Sequence, residues 1–139
     1  MQEEWSSIGL HRVRRQDDVL ILELRGEYRL EDCKVIYPML AAMWAEDPNA
    51  FAIVDSTGMI GLMSPEVRRF VGEFGRRHFQ AEYRSVLIVR NVVVRALASM
   101  VIALSRIGRA AQGDTVFVAT VEEAWGYVAR VRLERVTKG

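Results

Sequence analysis

Three short apolar runs, each followed by a helical pattern, constrain this chain more than any other feature. They occupy residues 51–54, closed by Asp55, then residues 84–90 and residues 115–119. A strand without polar alternation has both faces covered, as in the middle of a parallel sheet. A strand that feeds a helix before the next strand makes a parallel crossover, which is right-handed in nearly every protein. Residues 11–14 and 19–25 pair across the Gln16-Asp-Asp18 turn as an N-terminal antiparallel hairpin. The element order is β-β-α-β-α-β-α-β-α. This predicts an α/β fold with a mostly parallel, mixed sheet of about five strands and four helices.

The 139 residues suit one domain spanning residues 1–139, with a core over about 11–131. A chain of this length buries roughly two-thirds of its unfolded surface. Half the residues are hydrophobic and 27% are charged, which argues against disorder. There is no internal repeat, low-complexity tract or Gly/Ser linker. Cys33 is the single cysteine, so no internal disulfide and no Cys-rich metal site is expected. No metal-ligand spacing or cofactor motif occurs.

No run approaches the roughly 18 apolar residues of a membrane helix. Residues 1–5 lack the basic-then-apolar order of a signal peptide. The expectation is a soluble cytoplasmic protein with no membrane insertion. Net charge is +1, unevenly placed: residues 1–59 hold 6 basic and 11 acidic groups, residues 60–112 hold 9 and 3, and residues 113–139 hold 4 and 4. The basic middle third suits an acidic partner. Trp5, Trp44 and Trp125 lack the basic-aromatic interleaving of a nucleic-acid platform, so no nucleic-acid partner is expected.

The first helix is expected over residues 30–44, with Val35, Leu40 and Met43 among its apolar positions. Pro38 predicts a kink or a loosened first turn near Ile36. In the second helix Val67, Phe70, Val71 and Phe74 share one arc, leaving Arg68, Arg69, Glu73 and Arg76 solvated opposite. His78 continues the apolar arc and reads as a packed or capping histidine.

On a third helix, over residues 92–107, Leu97, Met100, Val101, Leu104 and Ile107 face inward. Arg95, Ser99 and Arg106 lie on the opposite face, and Ile102 sits on that polar side. Small-residue packing explains this helix, and so does contact with a partner or a second copy in a homodimer. Arg68, Arg69, Arg95, Ser99, Ile102 and Arg106 are therefore the interface candidates. Thr120 caps a closing helix with Glu122 and Glu123 in its first turn. Trp125, Val128 and Val131 face the core, and residues 136–139 form a frayed tail.

The stretch from Phe51 to Val67 carries the candidate site. Asp55, Ser56, Thr57 and Gly58 read as a loop in which Asp55 accepts N–H groups and Ser56 and Thr57 form a local turn. Met63, Ser64 and Pro65 follow, with Ser64 as N-cap and Pro65 as first helical residue. Ser64 has three readings: a plain cap, a phosphorylation switch, and an unmodified contact residue at an interface. Asp55-Ser-Thr-Gly58 also resembles the Asp-x-Thr-Gly loops of phosphoaspartate enzymes. Such sites need further carboxylates for Mg²⁺, and no strand-end aspartate closes either later strand. No enzymatic activity is expected.

The element order, the aspartate closing the strand at residue 55, and a serine starting the next helix resemble the STAS superfamily, typified by bacterial anti-sigma factor antagonists. In that family the loop holds an Asp-Ser-Ser-Gly-Leu-like motif whose serine is phosphorylated by an anti-sigma kinase. Counted from the strand-end aspartate, Ser64 falls on that position. Met63 stands where the family has aspartate, Pro65 replaces the second serine, and Glu66-Val67 replaces Gly-Leu. The ending Val116-Phe-Val-Ala-Thr-Val-Glu-Glu-Ala-Trp125 is also similar to the family's. With Pro38 it resembles the divergent branch grouped with lipid-carrier-like domains. The resemblance implies a non-enzymatic signalling domain that binds an anti-sigma factor or kinase-like regulator. The alternative it leaves is a carrier of lipid or another small apolar ligand.

Overall fold

A computed structural model describes residues 4–61, 63–78, 83–89, 96 and 114–138. One mixed sheet runs β1 (Ser6–Ile8), β2 (His11–Gln16), β3 (Val19–Gly26), β4 (Phe51–Met59), β5 (Arg84–Ile88) and β6 (Asp114–Val118), in that spatial order. The pairs β1–β2 and β2–β3 are antiparallel, and β3–β4, β4–β5 and β5–β6 are parallel. Among the described residues the helices are α1 (Leu30–Glu46), α2 (Pro65–His78) and α3 (Val121–Lys138).

The sheet thus has six strands where about five were expected. The extra one is β1, whose Ser-Ser-Ile sequence has no apolar alternation and which pairs with β2, Ser6 opposite Val13 and Ile8 opposite His11. Three of the four expected helices are described. The other, over residues 92–107, lies outside the described residues together with Arg95, Ser99, Ile102 and Arg106.

The period-two alternation of β3 divides the core. Leu20, Leu22 and Leu24 face α1 and α2, meeting Cys33, Ile36, Leu40, Met43, Trp44 and Val67. Val19 and Ile21 face the other way with Phe51, Ile53, Val86 and Ile88, against Ala124, Tyr127, Val128 and Val131 of α3. Both faces of the central strands are covered, which is why their runs carry no polar alternation.

α1 runs unbroken through Pro38, so the expected loosened start is absent. Pro38 and Lys34, whose carbonyl Pro38 leaves without an amide partner, are both exposed residues. Val35, expected inside, is 51% exposed, and the inward stripe is Cys33, Ile36, Leu40, Met43 and Trp44. In α2, Val67 is buried, and Phe70 and Phe74 stack around Tyr37 with ring centroids 6.3 and 6.1 Å away. His78 is exposed, with its ring centroid 4.3 Å from that of Phe74.

α3 begins as expected. Thr120 Oγ1 accepts the Glu123 N–H at 3.1 Å, and Glu123 Oε2 reaches back to the Ala119 N–H at 2.9 Å. The tail is helical rather than frayed as far as Lys138. Arg135 Nη1 donates to the Asn49 carbonyl at 3.0 Å and Arg132 pairs with Asp18, tying the last turns to the sheet.

Candidate functional site

Strand β4 does not stop at Asp55. It continues to Met59, pairing Gly58 with Arg25 and Met59 with Gly26 beyond a register shift between Glu23 and Arg25. Asp55, Ser56, Thr57 and Gly58 are therefore strand residues, not a loop. The local turn chemistry survives within the strand, because Asp55 Oδ1 accepts both the Thr57 N–H at 2.9 Å and the Thr57 hydroxyl at 2.7 Å. The Ser56 hydroxyl turns instead to β5 and donates to the Ile88 carbonyl at 2.6 Å.

The candidate residues are also divided by the sheet. Asp55 continues the face of Phe51 and Ile53, in register with Glu23 and Ile88, towards α3. Met63 packs with Met59 and Val67 in the core beneath α1 and α2. Ser64 belongs to that second side. Its Oγ accepts the Val67 N–H at 3.2 Å, and its carbonyl accepts the Arg68 N–H at 2.9 Å, which makes it the N-cap of α2 as expected. Arg68 is not a free solvated arginine, since it is half-buried and its Nη1 donates to the Met63 carbonyl at 2.8 Å. Arg69 is exposed.

Ser64 opens onto a cleft of about 480 Å³ between the N-termini of α1 and α2. Glu27, Tyr28, Arg29, Lys34 and Glu66 are among its lining residues. Arg29 bridges Glu27 at 3.6 Å and Glu31 at 3.4 Å. Two large apolar side chains stand out at the same end of the sheet, Ile60 at 75% exposed and Leu10 at 64%. The Ile60 N–H donates to the Gly26 carbonyl at 2.8 Å, and Leu10 lies so close over Gly26 that a β-carbon there would meet its Cδ1 at 2.9 Å. Gly26 also has φ +68°, a backbone conformation that favours glycine.

Beneath the cleft lies a polar group of residues that spacing along the chain does not reveal. His11, 1% exposed, places Nε2 3.0 Å from Asp32 Oδ2. Its Nδ1 accepts the Arg25 N–H at 2.9 Å. Asp32 Oδ2 also takes the Arg29 N–H at 3.2 Å and closes the first turn of α1. Asp32 Oδ1 crowds Gly9, where a β-carbon would sit 2.8 Å away.

Next to this pair, Tyr28 and Cys33 are buried in the same core cluster, and Tyr37 packs against it. Desolvation pushes the Cys33 thiol up to about 11, with the Asp32 charge adding to the effect, and it raises both tyrosine hydroxyls. The sequence signal available was a lone histidine in a strand otherwise rich in arginine, 21 residues from its partner.

On the opposite face Arg12 forks onto Glu23 at 3.0 and 3.1 Å, and Arg25 Nη2 reaches the same carboxylate at 3.0 Å. Burial opposes the Glu23 charge, but the hydrogen bonds from Arg12 and Arg25 outweigh it and hold the carboxyl below its ordinary range. The Arg12 and Arg14 guanidinium groups stack on Trp5 at 4.0 and 4.8 Å.

Among the described residues no three His, Cys, Asp or Glu side chains gather as a metal site requires, and no helix is long and apolar enough to cross a membrane. No known family model matches this sequence, and no curated protein matches it.

Proposed function

We propose that the chain is a non-enzymatic regulatory domain that docks a cytoplasmic protein partner at the α1–α2 cleft and is switched by phosphorylation of Ser64. The resemblance to bacterial anti-sigma factor antagonists supplies the class of partner, an anti-sigma factor or kinase-like regulator. The observation that carries the reading is the position of Ser64. Its hydroxyl caps α2 in an open cleft where a second helix also begins, lined by Lys34 and by Arg29, which is bridged to Glu27 and Glu31. A phosphoryl group adds about −1.5 to −2 charge, which helix N-termini and arginine favour. Leu10 and Ile60 give the same end of the sheet an apolar contact patch.

The alternative, a carrier of lipid or another small apolar ligand, needs an apolar chamber. Glu27, Arg29, Glu31 and Lys34 in the cleft lining favour a polar partner instead. The test begins with mass spectrometry of protein purified from its native host, where a phosphate on Ser64 is expected. Full coverage of Ser64 without modification would remove the switch. Ser64→Asp is expected to change which proteins co-purify with the chain, and Ile60→Asp to abolish their capture. Retention of the same proteins by Ile60→Asp would remove the docking surface. Native mass spectrometry showing a bound lipid would favour the carrier.

A further inference from the structure

Hydrogen-bond direction fixes the protonation state of His11. The Arg25 amide is a donor, so Nδ1, which accepts from it at 2.9 Å, carries no proton. The neutral ring then bears its proton on Nε2 and donates it to Asp32 Oδ2 at 3.0 Å. An imidazolium has a donor at both nitrogens. Its Nδ1–H would point straight at the Arg25 N–H, and two donors cannot share that contact. Asp32, still accepting from Nε2–H, would hold the charged ring in place. Protonation therefore leaves the bond to α1 intact and breaks the bond to β3.

The broken bond lies at a sensitive position. Arg25 stands at the register shift of β3, beside its partner Gly58, and the next residue, Gly26, accepts the Ile60 N–H that sends the chain from β4 towards Ser64. The groups facing His11 are few. Asp32 faces it from α1, and the Tyr28 ring meets it edge-on at 5.4 Å from the connection before α1. Cys33, buried in the same core, is a thiol held protonated by burial. From β3 the Arg25 N–H reaches it, while the Arg25 guanidinium is paired with Glu23.

We infer that His11 is a pH-sensitive latch: neutral and protonated on Nε2 it locks the end of β3 to β2 and α1, and on protonation it releases the Arg25 amide and loosens the path from Gly26 to Ile60. The inference rests on buried hydrogen-bond geometry and not on the identity of what docks nearby.

NMR of the full chain tests it. Histidine changes charge between about pH 5 and pH 8, so spectra across that range suffice. At the upper end His11 is expected as the Nε2–H tautomer, with a protected Arg25 amide. On acidification its imidazole should charge, and protection of the Arg25 amide, corrected for intrinsic exchange, should fall roughly tenfold, the loss of about one hydrogen bond. The Ile60 amide should shift in parallel. His78, the only other histidine and an exposed one, is the internal reference.

In His11→Asn the side-chain oxygen takes the place of Nδ1 and does not titrate, so Arg25 protection should become independent of pH. Four results overturn the latch: an Nδ1–H tautomer at the upper pH, an imidazole of His11 that never charges across the range, Arg25 protection that is constant in the native chain, or an acid response that persists in His11→Asn. The tautomer and protection measurements need only the native chain, so they decide the matter even where the variant fails to fold.

Discussion

On the α3 side of the sheet the interior is aliphatic and aromatic, from Val19 and Phe51 through Ile53 and Ile88 to Val128 and Val131. On the α1–α2 side the same strands enclose a histidine, an aspartate, two tyrosine hydroxyls and a thiol among their leucines. The first face gains stability from area removed from water, which is insensitive to direction and to pH. The second depends on specific donors and acceptors, each costly to leave unpaired and each able to respond to a proton. The cleft at Ser64 and the His11 latch both belong to the second face. One side of the sheet serves as a seal, and the other carries the groups that a signal can act on.

That contrast breaks most visibly at Phe51. It is fully buried against α3, with the Arg135 guanidinium 4.8 Å and the Arg132 guanidinium 5.8 Å from its ring centroid. Phe51→Ala is expected to cost about 3–5 kcal/mol by transfer and cavity terms, read from urea unfolding, with little change in the cost between pH 6 and pH 8. On the other face, Asp32→Ala leaves both the His11 Nε2–H and the Arg29 N–H without an acceptor. The expected loss is about 2–3 kcal/mol. It should vary with pH, because the side chain left without its partner is a histidine. Equal pH dependence for the two variants would undo the distinction between the faces.

The sequence makes the apolar face legible and hides most of the polar one. Unbroken runs at residues 51–54 and 84–90 read as strands covered on both sides, and their alternation with helical patterns yields the parallel order. Ser64 and Thr120 are readable caps because a hydroxyl, a helix start and an acidic first turn lie within four residues. The extension of β4 was not readable, because Asp55, Ser56, Thr57 and Gly58 are turn formers by intrinsic preference. Pairing with β3 and the Ser56 bond to Ile88 override that preference. His11 and Asp32 meet only after β2, β3 and α1 have assembled, so no local pattern marks them. Ser6-Ser-Ile8 likewise becomes a strand only because β2 offers it an edge.

Smaller effects sharpen the comparison. Thr120→Ala and Ser64→Ala each remove an N-cap oxygen, from α3 and α2 respectively, and each is expected to cost about 1 kcal/mol of unfolding free energy. If the faces differ as argued, only the Ser64 variant alters partner capture, and the Thr120 variant binds as the native chain does. Cys33 gives a kinetic counterpart. Burial and a pKa near 11 keep its thiol protonated, so alkylation at pH 8 should follow transient unfolding and accelerate in denaturant. Rapid labelling of the native protein would show that the α1 face is open at Cys33.

The smallest expected effect comes from Glu23, at the polar rim of the α3 face. Its carboxyl lies below its ordinary range because the hydrogen bonds from Arg12 and Arg25 exceed the cost of its partial burial. A group depressed on folding contributes stability that is fully present above its unfolded value and is lost as pH falls through the folded value. Glu23→Gln should therefore be less stable than the native chain near neutral pH by under about 1 kcal/mol, the range of exposed ion pairs. The gap should close as the pH falls through the lowered value of the native carboxyl. Urea midpoints of both proteins at neutral and acid pH measure it. A gap that widened in acid would mean that Arg12 and Arg25 do not favour the charged form, and that this rim is held by packing like the interior beneath it.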